Sequence, residues 1–158
     1  MTSIHLVDTM KTDDATYSAL NSYTKLMRAA ESITGRTSRV MAEAGLTISQ
    51  FGVLEALYHK GPLCQRDIAA KVLKSSGNMT LVIDNLEKNG LVRRERDNQD
   101  RRYLTVHLTE KGTKLITAAF AAVQTAIVAN MSVLTQHEQH VLGSLCKRLG
   151  LQGAAGPA

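Results

Sequence analysis

Apolar residues recur at helical spacing along most of this chain and give way to short extended runs in one place only. From about Asp14 to Ala44, Tyr17, Leu20, Tyr23, Thr24, Met27, Ala30, Ile33 and Val40 fall three or four residues apart. That period predicts a long helix, ended by Gly45. Thr47 with Gln50 three residues on is a capping-box signal for a second helix. It carries Phe51, Val53, Leu54, Leu57 and Tyr58 and stops at Gly61-Pro62. Cys64 to Leu73 reads as a short third helix with Ile68, Ala69 and Val72 inward. Residues 75–89 read as a fourth, with Ser75 and Ser76 as cap and Met79, Ile83 and Leu86 as its apolar face. Thr109 and Glu110 open a long helix through Leu115, Ile116, Ala119, Phe120, Val123, Ile127 and Met131. Thr135, with Glu138, opens a last one through Val141, Leu142, Leu145, Cys146 and Leu149.

The exception lies between Gly90 and Gly112. Leu91–Arg93 and Tyr103–Leu108 are β-type runs flanking the polar segment from Asp97 to Arg102, which predicts a hairpin with a charged tip. The expected fold is mainly α with a small β-hairpin wing. The third and fourth helices, joined near Lys74, form a helix-turn-helix, and a helix followed at once by a basic hairpin suits a reader of double-stranded DNA. The long terminal helices are too apolar and Ala-rich for so small a unit to bury alone. They predict a dimerisation layer, and a two-fold dimer would offer two reader helices to a pseudo-palindromic site. The whole is a winged helix-turn-helix flanked by N- and C-terminal dimerisation helices. Its expected parts are an arm at 1–13, the helical layer at 14–45 and 113–149, the DNA-binding region at 46–112, and a disordered tail at 150–158.

Charge sharpens this picture. The 158-residue chain carries a net +5. Residues 60–111 hold 11 basic and 7 acidic side chains, against 5 and 6 before them and 3 and 1 after. The excess therefore sits on the predicted DNA-binding region. Cys64 and Cys146 show no disulfide or zinc spacing, and the pair His137 and His140 lacks an acid or cysteine at a set distance, so neither a metal nor another cofactor is expected. There is no phosphate loop, nucleophile elbow or paired His/Glu motif, which argues against an enzyme. Without a signal pattern, and with no run approaching a membrane span, the expected location is the cytoplasm and no membrane partner is expected.

Four blocks in order resemble the MarR family of bacterial transcription regulators. They are Leu46-Thr47-x-x-Gln50-Phe51-x-Val53-Leu54, Gly61-Pro62-Leu63, Asn85-Leu86-Glu87-x-x-Gly90-Leu91-Val92-x-Arg94, and Asp100-x-Arg102 followed by Leu108-Thr109-x-x-Gly112. The resemblance covers about residues 15–149. It implies a triangular winged-helix homodimer with interlocked terminal helices, usually a repressor released by a small phenolic or aromatic ligand or by cysteine oxidation. The Gly61-Pro62-Leu63-Cys64-Gln65 and Ser75-to-Thr80 blocks, with Leu134-Thr135-x-x-Glu138-Gln139, look most like members that sense quinones or catechols. Those members often carry a Pro and a His in the fifth helix, where this chain reads Ala119-Phe120-Ala121-Ala122-Val123-Gln124. An activator, a redox-responsive regulator and a helical interaction module that does not bind DNA are the alternatives.

The candidate residues follow. Ser75, Ser76, Asn78 and Thr80 open the fourth helix, where one serine caps while the others meet phosphate and base edges. Lys74 is expected on phosphate. On the wing, Arg96, Arg101 and Arg102 are the DNA-facing cations, and the resemblance puts Arg102 in the minor groove. Asp100 would hold an arginine in place, since an acid facing phosphate is repelled, and Arg94 would support the wing's base. Cys64, at the start of a helix, is the redox candidate, against a plain role as a small half-buried residue, whereas the spacing of Cys146 with Leu142 and Leu149 says core. Met27, Arg28, Phe51, Leu54 and Tyr58 could line a ligand crevice between the first two helices and the fifth, against an ordinary core.

Overall fold

A computed structural model describes residues 13–72, 76–96 and 104–151. Helix α1 (Asp14–Glu43) leads to α2 (Ile48–Lys60), a two-residue strand β1 (Leu63–Cys64), α3 (Gln65–Val72) and α4 (Ser76–Lys88). Strands β2 (Val92–Arg96) and β3 (Leu104–Leu108) form the hairpin, and α5 (Glu110–Met131) and α6 (Gln136–Leu151) close the chain.

Local chemistry sets most of these boundaries. The Asp13 carboxylate caps α1 by accepting from the Thr16 N–H at 2.8 Å. The Thr16 hydroxyl first, and then that backbone bond, hold the Asp13 pKa below its ordinary value. Gly45 ends α1 in the left-handed region at φ 74°. Thr47 and Gln50 form the full reciprocal capping box of α2. Thr135 and Glu138 do the same before α6: the Glu138 N–H donates to the Thr135 hydroxyl, and the Thr135 N–H donates to the Glu138 carboxylate at 2.7 Å. Each cap satisfies N–H groups that a helix leaves without partners.

The core runs from Leu46 to Val123, so it belongs to the winged unit and the first half of α5. Leu54, Ile68, Met79, Ile83, Leu86 and Ile116 are its largest fully buried side chains. Apart from Thr37, no described residue of α1 is buried, and none of α6 is. Tyr17, Tyr23, Met27, Val133, Leu145 and Leu149 lie exposed on the single chain.

Several expectations change. Cys64 is not in the third helix: it pairs with Thr105 in an antiparallel sheet of order β1-β3-β2, so the wing has three strands rather than two. Strand β2 starts one residue later than expected and runs on to Arg96. Tyr103 lies outside the described residues. Helix α6 continues through Gly150 to Leu151, two residues into the expected tail, and Cys146 is exposed rather than core. Helix α5 is long and apolar enough to cross a membrane by length and composition, which corrects the reading that no run approaches a span. Here it works as a core helix, burying Ile116, Ala119 and Val123 while packing on α1 and α2.

Among the described glycines, the closest approach to a neighbour is at Gly112. A Cβ there would lie 2.0 Å from the Leu91 carbonyl oxygen. Ala normally gains about 1 kcal/mol over Gly inside a helix. Gly112→Ala should instead lose about 1–3 kcal/mol in urea unfolding, because backbone must move to admit the methyl. Gly35→Ala in α1, with nothing within 4 Å of its added carbon, is the control and should be neutral or stabilising.

Candidate nucleic-acid interface

Helix α4 turns Met79, Ile83 and Leu86 fully inward against α2, α3 and β2. Asn78 and Thr80 are left exposed on its first turns. Gln65, the first residue of α3, donates from Nε2 to the Thr80 hydroxyl at 2.6 Å, which braces the two helices of the helix-turn-helix. Gly52 adds to that unit: its missing side chain lets Val72 approach, and a Cβ would meet Val72 Cγ1 at 3.2 Å.

The hairpin has two chemically different faces. Its pairs Arg93↔His107 and Glu95↔Thr105 stand on the outer face. There Arg93 donates to the Glu95 carboxylate, and His107 Nε2 lies 2.9 Å from the Thr105 hydroxyl and 3.4 Å from Glu95. The hydrogen bond from Arg93 is the main reason Glu95 is held below the ordinary carboxylate range; desolvation opposes it, and the charges of Arg93 and His107 add to it. The inner face carries Val92, Arg94 and Val106, since alternate residues share a face. Arg94 therefore puts a charge beside buried Val92 and Val106.

That charge is answered by α4. Arg94 Nη1 donates to Glu87 at 2.6 Å, Nη2 to Asp84 at 2.6 Å, and the Arg94 backbone N–H to Glu87 at 2.8 Å. Burial works against the guanidinium, but the hydrogen bonds and charges of Asp84 and Glu87 prevail and raise its pKa above the usual value. The wing's base is thus tied to the predicted reader helix. The same contacts engage two carboxylates on the helix that would meet DNA and offset one of their two negative charges. Arg96 is exposed at the outer end of β2, opposite Leu104. Lys74, Ser75, Asp100, Arg101 and Arg102 lie outside the described residues, and Ser76 is described only as the first residue of α4.

A crevice of about 690 Å³ opens between α2, the end of α3 and α5. Phe51, Ala56, Phe120, Val123 and Ile127 give it apolar walls, and Glu55, Lys60 and Lys71 are its charged lining. Phe120 stands edge-on to His59 with ring centroids 4.9 Å apart. Of the residues expected there, only Phe51 lines it. Leu54 is fully buried in the core, Tyr58 packs tilted against Phe120 outside the lining, and Met27 and Arg28 are exposed on α1. Sequence spacing missed Phe120 and Lys71 as lining because it could not show which faces of α3 and α5 meet α2. It also passed over Gln65, Asp84 and Leu81; the last is exposed on α4 two residues beyond buried Met79.

A reader helix braced by a second helix, with a three-stranded wing tied to it, defines a winged helix-turn-helix protein. The MarR family model matches residues 46–104. The chain is 37% identical over 133 residues to YkoM, an uncharacterized HTH-type transcriptional regulator of Bacillus subtilis, covering 84% of this chain and 86% of that one. It is 35% identical over 136 residues to MhqR, an HTH-type transcriptional regulator of the same organism, covering 86% and 94%. The fold matches AbsC, a MarR family transcriptional regulator from Streptomyces coelicolor, with a TM-score of 0.80 at 20% identity, over 94% of this chain and all of that one. The chain belongs to the MarR family and is a DNA-binding transcriptional regulator.

The Arg94 contacts give a test. Arg94→Ala should lower stability by about 1–2 kcal/mol, the low end of the range for hydrogen bonds to charged groups, because the two carboxylates are partly exposed. Glu87→Ala should cost more than Asp84→Ala, because Glu87 takes both the side chain and the backbone N–H. Equal losses in urea titrations would show that the backbone bond adds nothing.

Proposed function

We propose that this protein is a homodimeric repressor, not an enzyme, acting in the cytoplasm and released from its operator by a small aromatic ligand of phenolic or quinone-like type. Residues 46–112 are its DNA-binding region, and 14–45 with 113–149 form its dimer layer. The observation that carries the ligand reading is the apolar crevice set between the winged unit and α5, with Lys60 and Lys71 beside it. Two proteins of the same fold support the ligand class. DNA binding by BpsR of Bordetella bronchiseptica is regulated by 6-hydroxynicotinic acid, and NadR was solved with 4-hydroxyphenylacetate.

In this reading α4 enters the major groove. Asn78 and Thr80 meet base edges, Lys74 and one of Ser75 and Ser76 meet phosphate while the other serine caps the helix, and the wing presents Arg96, Arg101 and Arg102, with Asp100 steadying an arginine. The ligand must bind the DNA-incompetent arrangement more tightly, or it shifts nothing. A hundredfold loss of operator affinity needs about 2.7 kcal/mol of such difference. The dimer reading rests on the apolar residues left exposed on α1 and α6. Sedimentation should give a dimer at micromolar concentration, and a stable monomer would end that part of the proposal.

The test of function is a titration of a pseudo-palindromic operator. Arg102→Ala should weaken binding by about 1–3 kcal/mol, the range for a specific groove contact. Lys74→Ala should weaken all sequences alike. Phenols and quinones should release the operator from the parent and from a Cys64→Ser, Cys146→Ser double variant. Release from the parent alone would mean thiol chemistry, with Cys64 the first candidate. No release by any compound, with DNA binding intact, would leave a regulator without this ligand control.

A further inference from the structure

Leu81 is a large apolar side chain, 61% exposed, on the outward face of α4. At 3.6 residues per turn it lies about 200° round the helix from Met79, nearly opposite the buried stripe of Met79, Ile83 and Leu86. The helix has already buried what it needs inward, so Leu81 contributes nothing to the core. The helical layer does not account for it either, since α4 packs on α2, α3 and β2. Asn78 three residues before and Asn85 four after are exposed amides on the same side of the helix. A single exposed leucine is ordinary on a protein surface; what sets Leu81 apart is its place between two amides on the outward face of α4.

We propose that Leu81 determines sequence specificity by packing on the 5-methyl group of a thymine in each operator half-site. This rests on the reading of α4 as the helix that enters the major groove. The thymine methyl is the apolar group that the major groove offers among its donors and acceptors. Amides such as Asn78 and Asn85 suit the adenine edge, so an apolar tip between them fits a run of A·T pairs. The nearest acid on that face, Asp84, is held by Arg94 at 2.6 Å, so it is drawn away from the base edges.

The experiment starts from duplexes enriched by the full-length protein from a random pool. Each thymine of the enriched site is then replaced in turn by deoxyuridine, which removes only the methyl. Affinities are measured for the parent and for Leu81→Ala, whose fold should be kept because the position is exposed; parent-like unfolding checks this. At one thymine per half-site the replacement should weaken the parent about fourfold, the effect of one buried methyl-sized group. Leu81→Ala should be indifferent at that position. If no thymine is sensitive, or if Leu81→Ala keeps the parent's sensitivity, the proposal is wrong while the reader helix stands. If the parent enriches no sequence at all, it is the reading of α4 that has failed.

Discussion

The wing, the reader helix and the long fifth helix all meet at the Leu91 carbonyl. The chain leaves α4 through Gly90 at φ 70°, runs out along β2, returns on β3 and enters α5 at the same point. The Leu91 oxygen accepts from the Thr109 N–H at 3.1 Å, and the Thr109 hydroxyl donates to the Gly90 carbonyl at 2.7 Å. Lys111 reaches back to the Asn89 carbonyl at 2.9 Å. All of this needs α5 to start in contact with the backbone, which only a residue without a Cβ at position 112 permits. The end of the reader helix and the start of α5 are therefore one rigid joint rather than two elements joined by a loop.

Charge placement follows from that joint. With the hairpin base fixed, its inner face must lie on α4, and Arg94 falls on it by strand alternation. A guanidinium there is tolerable only because two carboxylates answer it. The outer face, with Arg93, Glu95, Thr105 and His107, is exposed or half-buried and contributes little to stability, since ion pairs in water are weak. The hairpin thus has a structural ion pair inward and a solvated one outward. Only the sheet register tells them apart, because the run Arg93-Arg94-Glu95-Arg96 does not itself say which arginine faces inward.

What the sequence made legible was the local chemistry. Gly45 and Gly90, and the pairs Thr47 with Gln50 and Thr135 with Glu138, mark helix ends through contacts spanning five residues or fewer, so reading along the chain suffices. Strand β1 was illegible for the opposite reason. Cys64 and Thr105 pair across forty-one positions, and a two-residue strand carries no period of its own. The crevice was barely legible: of the five residues expected there only Phe51 lines it, because spacing along a helix cannot say which way that helix is turned against its neighbours. Cys146 was misplaced for a related cause. Spacing with Leu142 and Leu149 identifies an apolar face truly, but whether that face is core or interface depends on what covers it, and one chain covers none of α6.

On the proposed ligand reading, the joint at Leu91 supplies a route from a compound between α2 and α5 to the DNA. Phe120 lines the crevice and Gly112 lies two helical turns earlier, about 12 Å along the axis. The stretch of α5 from Gly112 to Val123, which carries its buried residues, moves as a rod rather than bending locally, because dense interiors transmit displacement. A ligand that wedges α5 away from α2 therefore acts on the same rod that is clamped to the end of α4. In a two-fold dimer each half-site sees its own reader helix, and the two must match a spacing of one helical turn of DNA. A small rotation of each α4 about its joint enters that spacing twice. The lever needs no long-range network beyond one helix and one backbone contact, and the residue that makes the contact possible is a glycine.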